Sequence, residues 1–191
     1  MTHRPSAARR GFTLVELLLA MVLTIIVGLA LFAAAQASTR AGAVAELVVY
    51  VTQEARRGMD TMASDLREAG GTIDDSIPGQ LEFQLPVGFD TCTSNAICWG
   101  AVDSGQAPQA GWKVRYQLVG GQLLRKVLNG AIEDAAAERV LANDVSAATF
   151  DYDGAKMVAV TLRVGRASNQ IPGGQPVQTA PLVLRVELRN S

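Results

Sequence analysis

The chain has a single histidine, His3, and none in the 188 positions that follow is needed to see the consequence: everything after the first few residues lacks the commonest general base and the commonest transition-metal ligand. Cysteine is nearly as scarce. Cys92 and Cys98 are the only two, too few to complete a tetrahedral metal site without a neighbouring histidine or further cysteine. There is also no excess of basic charge, with 17 Lys and Arg against 18 Asp and Glu. Arg4, Arg9 and Arg10 precede the first acid, so the remainder is net acidic and offers no nucleic-acid-binding patch. Catalytic signatures are missing too: no phosphate-binding glycine loop, no G-x-S-x-G, no H-E-x-x-H and no dinucleotide turn. The expectation is a protein without catalysis, cofactor or metal.

What is present is concentrated at the amino terminus. A basic leader, Met1 to Gly11, runs into Phe12-Thr13-Leu14-Val15-Glu16, and an apolar run then continues to Gln36. Glu16 is the informative residue. An ionised side chain in membrane hydrocarbon costs roughly 2.5 to 3.5 kcal/mol on insertion scales, and a simple anchor has no use for it. A cleaved secretory signal is one reading, with Ala35-Gln36-Ala37 as an A-x-A cleavage site, but Leu17 to Ala35 is longer than an ordinary signal core. A twin-arginine signal, suggested by Arg9-Arg10, meets the same objection. A single-span anchor has the right length and leaves Glu16 unexplained.

The continuous sequence Gly11-Phe12-Thr13-Leu14-Val15-Glu16, followed by an apolar helix, resembles the type IV prepilin family. That family has a basic leader ending in Gly, an aromatic first mature residue and Glu at the fifth mature position. The resemblance implies cleavage after Gly11 by prepilin peptidase and N-methylation of Phe12. It implies assembly through Phe12 and Glu16: the carboxylate of one subunit neutralises the new amine of a neighbour when apolar helices stack. The implied partners are other pilin or pseudopilin subunits, met through the amino-terminal helix, and an inner-membrane assembly platform. The leader arginines keep the amino terminus cytoplasmic, placing the body in the periplasm and later on a filament.

Beyond the apolar run, Leu47, Val51, Ala55, Met59, Met62, Leu66 and Ala69 recur at helical spacing. Glu54, Arg56, Arg57, Asp60, Asp65, Arg67 and Glu68 are expected on the opposite, solvated face. Gly70-Gly71 marks the helix end. The pattern then changes to period two. Gln80 to Leu85 reads as a strand. Trp112 to Leu118 and Leu123 to Leu128 read as a hairpin about Gly120-Gly121, and Phe150 to Tyr152 with Met157 to Val164 as a second hairpin. Leu182 to Leu188 is the last strand. The expected class is α+β, one long helix packed on an antiparallel sheet. The expected organisation is a leader over 1–11, a membrane or filament-core helix over 12–37, its amphipathic continuation over 38–70 and a globular body over 71–191.

Pro86 to Pro108 and Ser168 to Pro181 are expected as long loops. The first holds both cysteines beside Trp99. In an exported chain a Cys92–Cys98 disulfide is expected, closing a short loop and contributing ~2 kcal/mol; the alternative is two thiols. Asp74-Asp75 and Asp151/Asp153 lack the calcium-loop spacing and read as solvated turns. The stalk from Gln53 to Gly70 and the stretches around Tyr116–Arg125 and Leu141–Tyr152 are similar to PilW-type minor pilins and to minor pseudopilins of type II secretion. The implied role is a minor pilin that initiates or caps a filament. The alternatives are a pseudopilus-tip subunit, and a membrane-anchored adhesin or DNA-uptake module presenting the Pro86–Pro108 loop.

Overall fold

The computed structural model describes residues 13–88, 97–166, 177, 178 and 180–189. Gly11, Phe12 and Cys92 lie outside the described residues. Helix α1 runs unbroken from Leu14 to Glu68. The chain divides into two compact units within it, between Ala43 and Val44.

In the first unit every described residue from Thr13 to Gly42 is exposed. Large apolar side chains from Leu14 to Phe32 are each more than half exposed. The helix is long and apolar enough to cross a membrane, by length and composition.

In the second unit the remainder of α1 is amphipathic. Val51, Ala55, Met59, Met62, Ala63 and Leu66 are buried, a stripe at the i, i+3, i+4 spacing of one helix face. Gly71 lies three residues past the end of the helix. Gly71 has φ +67°, and a Cβ there would lie 3.2 Å from the Trp99 ring, so only glycine suits both the backbone and the space. Arg189 N–H donates to the Arg67 carbonyl at the helix end, satisfying one of the carbonyls the last turn leaves open.

Twelve strands follow among the described residues. They are β1 (Gly70–Asp74), β2 (Gln80–Gly88), β3 (Cys98–Val102), β4 (Pro108–Ala110), β5 (Lys113–Val119), β6 (Gln122–Asn129), β7 (Ile132–Glu133), β8 (Arg139–Ala142), β9 (Val145–Tyr152), β10 (Met157–Arg166), β11 (Val177–Gln178) and β12 (Leu182–Glu187). They form two antiparallel sheets. The larger has the order β4-β3-β2-β5-β6-β7, with β1 also on β2 and β8 also on β6. In the smaller, β10 lies between β9 and β12, and β11 extends it. One core takes residues from α1 and from both sheets: Phe83, Tyr116 and Val127 from the larger, Val158, Val160, Leu162 and Val186 from the smaller.

The expected α+β class, with the long helix on antiparallel strands, is the class observed. The hairpin about Gly120-Gly121 is present, both glycines having positive φ as a type I′ turn requires. Two expectations are corrected. Pro86–Pro108 is not one long loop, because β2 continues to Gly88 and Cys98–Val102 pairs with both β2 and β4. Its composition is loop-like, but Gly100 is where two backbones approach: a Cβ there would meet the Gln109 carbonyl oxygen. Likewise, not all acids of the α1 polar face are solvated. Glu54 and Asp65 turn toward the strands, as described below. Of the Ser168–Pro181 loop, Val177–Gln178 pairs with the end of β10; most of the rest lies outside the described residues.

Candidate functional site

The first turn of α1 is built by Thr13 and Glu16. Thr13 precedes the helix, and its Oγ1 accepts from Glu16 N–H at 3.3 Å. Glu16 Oε2 reaches back to Thr13 N–H and Oγ1, each at 3.5 Å. This reciprocal pair is a capping box, in which a hydroxyl and a carboxylate three residues apart satisfy donors that a helix start leaves unpaired. The carboxylate also sits at the positive end of the helix dipole. Thr-x-x-Glu is the sequence signal of this box. The contacts of 3.5 Å from Glu16 Oε2 are at the long limit of hydrogen bonding.

From Leu17 onward no ionisable side chain occurs until Arg40. Thr24, the one hydroxyl in the apolar stretch from Leu17 to Ala35, donates to the Ala20 carbonyl at 2.8 Å and so presents no unsatisfied donor to an apolar surrounding. The exposed face of this segment is thus apolar all round, with a single carboxylate at its start.

Residues 6–32 match the family model described as the prokaryotic N-terminal methylation motif. The chain carries a type IV prepilin-like amino terminus. The match takes in Gly11, Phe12 and Glu16 together with most of the apolar run, and ends before the body. Neither the curated proteins nor the solved structures compared with the chain give a match. The motif implies processing by prepilin peptidase and assembly with other pilin-type subunits in a membrane system.

The body holds the residues singled out for chemistry in quieter roles. Cys98, buried in β3, is disulfide-bonded. Trp99 is half-buried and packs over Gly71 at the turn from helix to sheet. Asp153 Oδ1 accepts from the N–H groups of Ala155, Lys156 and Met157. The Met157 bond leads these in holding its carboxyl below the usual range. The Ser76 hydroxyl, and then its N–H, hold the Asp74 carboxyl below the usual range, and Asp75 accepts from Tyr152 N–H at 2.8 Å. These acids hold turns. No group of three metal-ligating side chains occurs among the described residues.

The polar joint between α1 and the strands was not legible. Asp65 Oδ2 accepts from Arg125 Nε and from the Tyr116 hydroxyl, both at 2.8 Å. Burial, reinforced by the Asp65 charge, pushes the Tyr116 hydroxyl well above its ordinary pKa, so it stays a donor. About three turns earlier on α1, Glu54 Oε1 accepts from the backbone and side-chain N–H groups of Asn143. A cleft of about 250 Å³ opens beside this joint, lined by Thr61, Asp103, Arg125 and Arg139.

Proposed function

We propose that this chain is a minor type IV pilin, similar to the PilW type, which initiates or caps filament assembly at the inner membrane and performs no catalysis. Prepilin peptidase cleaves after Gly11 and methylates the Phe12 amine. The apolar helix anchors the subunit with its body in the periplasm, and then packs beside the helices of other subunits on the assembly platform. Cys92, the only other cysteine, is the partner of Cys98.

The observation that carries the reading is the coincidence of the methylation motif with a lone carboxylate at the start of an exposed apolar helix. Before assembly Glu16 is held by its own Thr13 through long, weak contacts. A neighbour's cationic Phe12 amine offers a charge pair instead, and such pairs strengthen as water is excluded. Leaving either charge unpaired there is heavily penalised, so the exchange fixes axial register between subunits.

The test is Glu16→Ala in the full chain, read by mass spectrometry and by filament fractionation. The mature protein should begin at Phe12 with an N-methyl group, while incorporation into sheared filaments falls to background. Normal incorporation of the variant, or a mature chain starting after Ala37, would overturn the reading.

A further inference from the structure

The exposed apolar stretch of α1 can be measured against a bilayer, because the helix is unbroken and its rise per residue is fixed. Leu17–Ala35, which holds no charge and no amide side chain, spans about 28 Å. The hydrocarbon of a bilayer is ~30 Å thick. Polar residues then close the run: Gln36, Ser38, Thr39 and Arg40. The charged heads at the two ends do not sit level with their own Cα atoms. Side chains on a helix lean toward its amino terminus, and both lean that way here. Glu16 Oε2 reaches back to Thr13, and Arg40 Nη2 donates back to Gln36 Oε1 at 3.3 Å. The two heads therefore lie at the levels of Thr13 and Gln36, about 34 Å apart along the helix. At the usual tilt of about 20° the separation along the membrane normal is still about 32 Å.

We propose that Glu16 and Arg40 set the depth of α1 in the lipid bilayer. The Glu16 carboxylate stands among the cytoplasmic headgroups, and the Arg40 guanidinium binds phosphates of the periplasmic leaflet. The inference rests on the anchoring role proposed above and names what each end of the anchor meets. Arg40 spends one N–H on Gln36 and has no other hydrogen-bond partner among the described residues. Its remaining donors form the planar fork that suits phosphate oxygens.

Glu16 acts as a stop. Leu14 and Val15 precede it, whereas the small Ala33, Ala34 and Ala35 end the apolar run. Hydrophobicity alone would draw the helix about one turn toward the periplasm, exchanging alanines in the lipid for Leu14 and Val15. That slide would immerse the carboxylate, which hydrocarbon penalises. A slide the other way is opposed twice, because it immerses Arg40 and brings Leu17 to Leu19 into water. The carboxylate that its place in the sequence assigns to hydrocarbon is thus kept out of it. Its pairing becomes obligatory only when the helix leaves lipid for a bundle of apolar helices, where no headgroup layer is at hand.

The experiment uses the full chain carrying Ala34→Cys or Ala43→Cys, expressed with prepilin peptidase and without other filament subunits. Spheroplasts are treated with a membrane-impermeant maleimide, which the disulfide-bonded Cys98 does not consume. Ala43→Cys should be labelled about tenfold more than Ala34→Cys, which lies within the hydrocarbon. In the Ala34→Cys background, Glu16→Leu should raise labelling about tenfold, and Glu16→Asp should leave it unchanged. Arg40→Glu should raise it about fivefold, and Arg40→Lys should leave it unchanged. Equal labelling of the two parent chains, or an Ala34→Cys still protected beside Glu16→Leu, would overturn the inference. No response to Arg40→Glu would overturn the phosphate contact. Washing with alkaline carbonate separates depth from anchoring. Release of the protein from the membranes would overturn the anchoring role, whereas retention with the wrong labelling pattern overturns the depth alone.

Discussion

Asp65 illustrates how much one side chain can fix. From α1 it meets both a guanidinium and a buried phenol of the strands. With side-chain exposures of 21% for Asp65 and 15% for Arg125, the pair is too sheltered to behave as a surface ion pair. Asp65→Asn should lower the unfolding free energy by ~1–3 kcal/mol in urea titrations, because Arg125 keeps its charge and loses its counterpart. Tyr116→Phe should cost less, ~1 kcal/mol, since Asp65 retains Arg125. Glu82 gives a pH prediction. Burial pushes its carboxyl up, but donation from Arg115 and Lys113 outweighs that and holds it below 4.5. A depressed carboxylate stabilises above its unfolded-state pKa and loses that contribution as pH falls through the folded value. Stability should therefore drop as pH goes below 4.5, and Glu82→Gln should flatten that slope while costing ~1 kcal/mol at neutral pH.

At the scale of elements, α1 and β8 approach through Gly58. A Cβ there would sit 2.9 Å from the Leu141 carbonyl oxygen and 3.3 Å from its carbon. Helix propensity alone favours alanine over glycine by ~1 kcal/mol. Here the contact is with backbone, which yields poorly, so Gly58→Ala should instead destabilise by ~1–3 kcal/mol in thermal or urea unfolding. Gly28 and Gly42 have nothing within 4 Å, so alanine at either should leave the unfolding of the body unchanged. Much of this level was legible. Strands β2, β5, β10 and β12 alternate, and glycines punctuate the turns. Strands β3, β4, β7 and β8 are short or small-residue segments whose pairing is decided by neighbours distant in sequence, so no local period announces them. The capping box at Thr13–Glu16 was legible and is local.

For the whole molecule, the second unit depends on the part of α1 that lies beyond the amino-terminal motif. A fragment beginning at Val44 should fold, with dispersed amide resonances and a cooperative melt. One beginning at Gly70 should not, because Val51, Ala55, Met62 and Leu66 leave the core and their removal exposes the inner face of both sheets. A cooperative melt of the shorter fragment would show that the sheets close without α1.

By itself the sequence determined the chemistry of the amino terminus. Gly11, Phe12 and Glu16 are read by spacing along one segment, and the long helix and its buried stripe follow from period alone. The tertiary structure decided what joins to what. Asp65 and Glu54 looked like solvated helix acids because helical phase places them only at the edge of the buried stripe. They meet partners 51, 60 and 89 residues away. The split of the strands into two sheets has the same origin. Period two says which way a side chain points, but only long-range pairing says what stands beside it.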